Sequence, residues 1–109
     1  MRVIFLGKHT GGMNNCLGIQ AISYLKQYCN VVNCVVSSKD KLYEHCKENH
    51  INVTEDVSEC YNLKGIDLII SYGWNKRITK KLIGMPKLGC INFHPAPLPE
   101  WRGMGGVFN

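Results

Sequence analysis

A chain of 109 residues with 45% hydrophobic and 19% charged side chains holds one compact domain at most and is too apolar for disorder throughout. Thirteen Lys and Arg against eight Asp and Glu give a net charge of +5. All of the excess lies after residue 75, where Lys76, Arg77, Lys80, Lys81, Lys87 and Arg102 meet only Glu100. That distribution disfavours a uniformly basic nucleic-acid coat and leaves either a local anion-facing region or an ordinary solvated face.

Arg2 to Gly7 is a short apolar run ending in glycine, as expected of a strand buried on both faces. A polar, glycine-containing turn over Lys8 to Asn15 follows, and Leu17, Ala21, Leu25 and Tyr28 or Cys29 then recur at helical steps behind an Asn14 or Asn15 cap. Val31 to Val36 predicts a second strand. Ser37 and Ser38 are placed to cap a helix running to about Asn49, with Leu42 and Cys46 on one face. Ile51 to Val53 is a short strand candidate, Val57 to Leu63 a weak helix, and Ile66 to Ser71 the clearest strand of the chain. Ile78 to Ile83 reads as a short helix stopped by Gly84 and Pro86, and Leu88 to Phe93 as the last strand. Alternate prolines in His94-Pro95-Ala96-Pro97-Leu98-Pro99 then exclude helix and remove ladder donors.

This rhythm predicts an α/β fold, a Rossmann-like, mostly parallel sheet with helices on both faces. In such sheets ligands bind beyond the carboxyl ends of the strands, here the Gly11-Gly12 loop, the Ser71–Arg77 segment and the Asn92–Arg102 segment. No charged leader with a long apolar core precedes the first strand, and no apolar run approaches the ~20 residues needed to span a bilayer. Cys16, Cys29, Cys34, Cys46, Cys60 and Cys90 are scattered without a C-x-x-C pair, so reduced thiols in a cytoplasmic protein are expected, with no membrane partner. His45 and His50 lack a zinc-like spacing, and no metal is expected.

Asn92 and His94 are alternate residues at the end of a strand and can face one site together. An amide donor beside an imidazole of ordinary pKa near ~6.5 suits acyl chemistry, the amide at an oxyanion and the imidazole moving protons. The competing reading is a strand end and a hydrogen-bonded turn. Gly11, Gly12 and Asn14 precede a helix, where a phosphate or carboxylate can bind, although glycine also serves there simply to permit a tight turn. No G-x-G-x-x-G or Walker pattern is present.

The run from Cys90 to Gly103, with Asn92-x-His94, Leu98-Pro99 and Arg102-Gly103, resembles the signature region of the folate-dependent formyltransferases, which act on methionyl-tRNA, glycinamide ribonucleotide or sugar amines. Asp67 to Gly73, Met85 to Gly89 and the amino-terminal Met1 to Gly7 are also similar to that family. The resemblance implies 10-formyltetrahydrofolate as formyl donor and no metal. It implies that Asn92 holds the formyl oxygen and His94 assists proton transfer. It further implies that Gly73, Trp74, Asn75, Lys76, Arg77 and Ile78 border the folate pocket, with Leu98-Pro99 building the loop beneath. In members with nucleotide substrates a related glycine turn, here Gly11-Gly12 with Asn14, holds the substrate phosphate.

The family places a catalytic Asp well downstream of the His, whereas Asp40, Asp56 and Asp67 all lie upstream and the sequence reaches only Asn109. Residues 1–109 are therefore expected to form a partial catalytic domain lacking its carboxy-terminal portion, inactive alone and able to associate through an exposed sheet edge. The Pro95-Ala96-Pro97 spacer leans toward a small-molecule amine acceptor such as an amino-sugar nucleotide, with tRNA not favoured. The alternatives are methionyl-tRNA formyltransferase, a hydrolase of the same folate, and a non-catalytic anion- or nucleotide-binding module.

Overall fold

Five successive residues, Val3 to Gly7, are buried in the first strand, β1 (Arg2–Gly7), and a strand enclosed on both faces needs neighbours on both edges. The computed structural model, which describes residues 1–8, 17–74 and 76–93, supplies them. On one edge β1 pairs with β2 (Asn30–Val36), and β2 carries the two-residue β3 (Val53–Thr54). On the other edge β1 pairs with β4 (Leu68–Tyr72), which carries β5 (Cys90–Phe93). The order is β3-β2-β1-β4-β5 and every pairing is parallel, as the alternation of apolar runs and helical periods requires.

Helices cover both faces. On one side α1 (Leu17–Tyr28) and α2 (Lys41–Glu48) close over Val3, Phe5, Cys34, Val36 and Ile70. On the other, a 3₁₀ turn (Val57–Cys60) and the single-turn α3 (Lys80–Ile83) close over Ile4, Leu6, Val35 and Ile69 through Cys60 and Leu82. The helical stripe of α1 is rotated from its predicted position. Ile22 is fully buried and Leu25 and Cys29 pack beside it, while Tyr28 is 68% exposed and meets the exposed Tyr24 ring at 5.0 Å. The hydroxyl tips keep both tyrosines at the surface, so Ile22 takes the centre of the face.

Several boundaries move for local reasons. The cap of α2 is Asp40, whose carboxylate accepts from the Leu42 and Tyr43 amides at 3.0 and 3.1 Å, in place of the expected Ser37 and Ser38. Thr79 caps α3 by accepting from the Leu82 amide at 3.2 Å, which starts that helix two residues after Ile78. The expected strand over Ile51–Val53 shifts to Val53–Thr54, because the Cys34 amide reaches the Asn52 carbonyl at 2.8 Å and pairing proper begins one residue later. Gly18 sits where a Cβ would lie 2.9 Å from the Lys8 carbonyl oxygen, so only glycine lets the first turn of α1 approach the chain leaving β1 this closely.

The amino-terminal edge of the sheet is tied down by long-range bonds. The Arg2 amide donates to the Asp67 carboxylate at 2.8 Å and the Asp67 amide donates back to the Arg2 carbonyl at 2.8 Å. The Lys87 and Leu88 amides close on the Ile66 and Asp67 carbonyls at 2.9 and 2.7 Å. Asp67 is thus a structural clamp at the edge opposite Asn92. No helix among the described residues is long and apolar enough to cross a membrane.

Candidate active site

The chain runs outward from β1 through β2 to β3, then returns to the other side of β1 for β4 and β5, so the order reverses between β1 and β4. Outside the carboxyl ends of those strands an open α/β sheet has its natural ligand crevice. Registers Leu6↔Ser71 and Gly7↔Tyr72 set these two ends side by side, and Ser71↔Asn92 and Tyr72↔Phe93 add the end of β5.

Alternation along β4 and β5 sorts the side chains. Ile70 and Tyr72 share a face with Ile91 and Phe93, the Tyr72 and Phe93 rings lying 6.3 Å apart. Ile69 and Ser71 share the opposite face with Cys90 and Asn92. Asn92 is exposed and its side chain makes no hydrogen bond among the described residues. Ser71 is 0% exposed, and its hydroxyl has no partner among them either.

The segment after β4 is folded against the same place. Gly73 adopts φ 66°, a left-handed conformation that favours glycine, and its amide donates to the Phe93 carbonyl at 3.1 Å. That bond brings Gly73 and Trp74 next to the end of β5 and occupies the Gly73 N–H. Trp74 is buried among Ile4, Leu6, Ile69 and Leu82, and Ile78 packs against the same cluster, so both build the wall beneath the segment. Lys76 and Arg77 are exposed and pair with nothing among the described residues. Lys81 differs, holding its ammonium 4.5 Å from the Tyr61 ring, whose hydroxyl meets Thr79 Oγ1 at 3.1 Å. Within the basic third of the chain Lys81 thus leans on an aromatic ring, while Lys76 and Arg77 follow β4 in the chain and are exposed.

The structure joins Gly73 to the end of β5, the strand that carries Asn92, through the bond to the Phe93 carbonyl. Gly11, Gly12, Asn14, Asn75, His94, Leu98 and Pro99 lie outside the described residues. The sequence marks Ser71 only as the start of the Ser71–Arg77 segment; its burial on the face it shares with Asn92 comes from the sheet register. Among the described residues no three His, Cys, Asp or Glu side chains converge as metal ligands, and Cys29, Cys34, Cys46, Cys60 and Cys90 are free. Contact with Cys46 and burial push the Cys34 thiol up, burial pushes Cys60 up to about 11, and burial raises Cys90, so none of these three is an activated nucleophile. A groove of about 510 Å³ between Asn33, Lys47, His50 and Glu59 lies beside the start of β3, away from these strand ends.

Residues 45–107 match a family model described as formyl transferase, a stretch that includes Ser71, Gly73 to Ile78, Asn92, His94 and Leu98-Pro99. The chain belongs to the formyl transferase family. A methionyl-tRNA formyltransferase from Wigglesworthia glossinidia brevipalpis is 46% identical over 41 residues, which is 38% of this chain and 13% of the relative. One from Bacillus subtilis (strain 168) is 40% identical over 53 residues, 49% of this chain and 16% of the relative. One from Agathobacter rectalis is 31% identical over 81 residues, 74% of this chain and 25% of the relative. The chain thus spans only 13% to 25% of the length of these relatives. Their names lend no support to the amino-sugar acceptor expected from the proline spacer.

Proposed function

We propose that residues 1–109 form the amino-terminal part of a catalytic domain that transfers the formyl group of 10-formyltetrahydrofolate to the amino group of methionyl-tRNA. The match across residues 45–107 carries the reading, because it includes the Asn92-x-His94 pair and both segments bordering it. The named relatives support the acceptor.

Asn92 stands exposed at the strand end with no side-chain hydrogen bond among the described residues, and its amide is suited to donate to the formyl oxygen as negative charge develops there. His94 takes the proton from the attacking amine and returns one to the departing folate nitrogen. The folate supplies an activated formyl carbon and a stable leaving nitrogen. Fit to such a group is tested by what the strand ends offer. The solvent-facing Lys76 and Arg77 suit a ligand that carries carboxylates. With the Gly73 amide bonded to Phe93, the segment would meet the ligand through Asn75 onward, over the wall made by Trp74 and Ile78. Leu98-Pro99 would form the floor, and Gly11, Gly12 and Asn14 would hold a phosphate of the acceptor.

The test is formyl transfer by the complete protein from 10-formyltetrahydrofolate to methionyl-tRNA, to an amino-sugar nucleotide and to water. Formylmethionyl-tRNA as the main product supports the reading. Formate alone assigns the protein as a hydrolase of the folate, and a formylated sugar reverses the acceptor. Residues 1–109 alone are expected to show no turnover.

A further inference from the structure

We infer that the groove beside the start of β3 is a binding site for a free α-amino acid with an apolar side chain, separate from the strand ends and independent of the formyl-transfer reading. Its volume of about 510 Å³ lies within the range of small-molecule sites. Asn33, in the middle of β2, lines it while only 9% exposed, and its Oδ1 is buried with no hydrogen-bond partner. A buried acceptor left unmade is costly and calls for a donor. The nearby Asn52 amide does not serve, because it donates to the Val32 carbonyl at 3.2 Å. Lys47 and Glu59 bring opposite charges to the same groove, yet neither forms an ion pair among the described residues. Lys47 instead holds its ammonium 5.5 Å from the Tyr43 ring, which leaves its N–H donors open.

His50 adds a second cost at the same place. It follows the α2 cap at φ 57°, in the left-handed region where glycine is favoured. Its amide donates to the Lys47 carbonyl at 3.4 Å and the Ile51 amide to the Cys46 carbonyl at 2.8 Å, closing the helix end as a glycine there would. The imidazole contributes what glycine lacks, a ring N–H donor on the groove lining. A zwitterion answers each of these groups. Its ammonium donates to Asn33 Oδ1 and Glu59, and its carboxylate accepts from Lys47 and His50. An apolar side chain then lies on Val32, Ile51 and Leu63. A dicarboxylate would leave the Asn33 oxygen unmade and face Glu59, and a diamine would leave Lys47 and His50 unanswered.

The experiment is calorimetric titration of the complete protein with L-leucine and with three analogues. N-acetyl-L-leucine and isocaproate lack the ammonium, and isoamylamine lacks the carboxylate. L-leucine is expected to bind with Kd below about 1 mM, and each analogue at least about tenfold more weakly. Two variants locate the site without threatening the fold. Asn33→Leu replaces the unmade acceptor with an apolar group of similar size, and His50→Gly suits the left-handed turn. Each should weaken leucine binding about tenfold. No binding of L-leucine at about 10 mM, or analogues that bind as well as leucine, overturns the inference. Unchanged affinity in either folded variant overturns it too, since the leucine would then sit elsewhere. With Asn33→Leu unfolded, His50→Gly decides alone.

Discussion

The two edges of the sheet are made from the same strands and treat their polar groups in opposite ways. At the amino edge Arg2 and Asp67 exchange backbone and carboxylate hydrogen bonds, and Lys87 and Leu88 close on Ile66 and Asp67. At the carboxyl edge, among the described residues, Ser71 is buried without a partner and Asn92 is exposed without one, and Lys76 and Arg77 face solvent. Satisfied groups lower the energy of the folded chain, whereas groups left unmade are free to act on something else. The contrast divides a foundation from a working surface on either side of a core that both share.

The sharpest way to break this division is to remove one group from each edge. Asn92→Ala in the complete protein should cut turnover about 10²–10³-fold, the usual loss for an oxyanion donor, yet leave the urea midpoint within the range of a surface change. Asp67→Ala should do the reverse. It strips the Arg2 amide of its carboxylate acceptor at 2.8 Å, so urea unfolding should register a loss of about 1–2 kcal/mol while turnover per folded molecule is retained. Equal effects of both changes on turnover would erase the distinction.

A gentler probe uses pH. Burial, with the Glu59 and Asp56 carboxylates adding, raises the Cys60 thiol from its ordinary value of 9.0 to about 11 in the folded chain. The folded state therefore prefers the neutral thiol, so this contribution to stability is full below about pH 9 and is lost as pH rises toward about 11. Cys60→Ala should flatten that part of the stability profile measured by urea titration. At the acid end, bonds from the Ser58 hydroxyl and amide hold Asp56 below the usual carboxylate range. Its small contribution is present above the ordinary carboxylate pKa and lost as pH falls through the lowered one, and Asp56→Asn should remove that dependence.

Much of the fold could be read along the chain because its causes are local. Apolar runs such as Val31 to Val36 can only be strands when glycine and polar turns bound them, and Leu42 and Cys46 share a helical face by spacing alone. Choices among similar residues were less legible. Ser37, Ser38 and Asp40 are all good caps, and Asp40 was selected because it is next to the first residue of the turn that buries Leu42. Tyr28 has helical spacing with Leu25 yet stays outside, since Ile22 fills the centre of that face.

The sequence by itself determined the alternation of strand and helix, the likeness of its Asn92-x-His94 region to the formyl transferases, and the clustering of charge after residue 75. Tertiary structure decided that one of those charges, Lys81, leans on an aromatic ring. It also decided that Asp67 clamps Arg2 across 65 residues and that Ser71 lies beside Asn92. Local propensity acts over a few residues, whereas strand order and register are set by how two faces of one sheet are buried at once, and only that packing turns distant polar residues into neighbours.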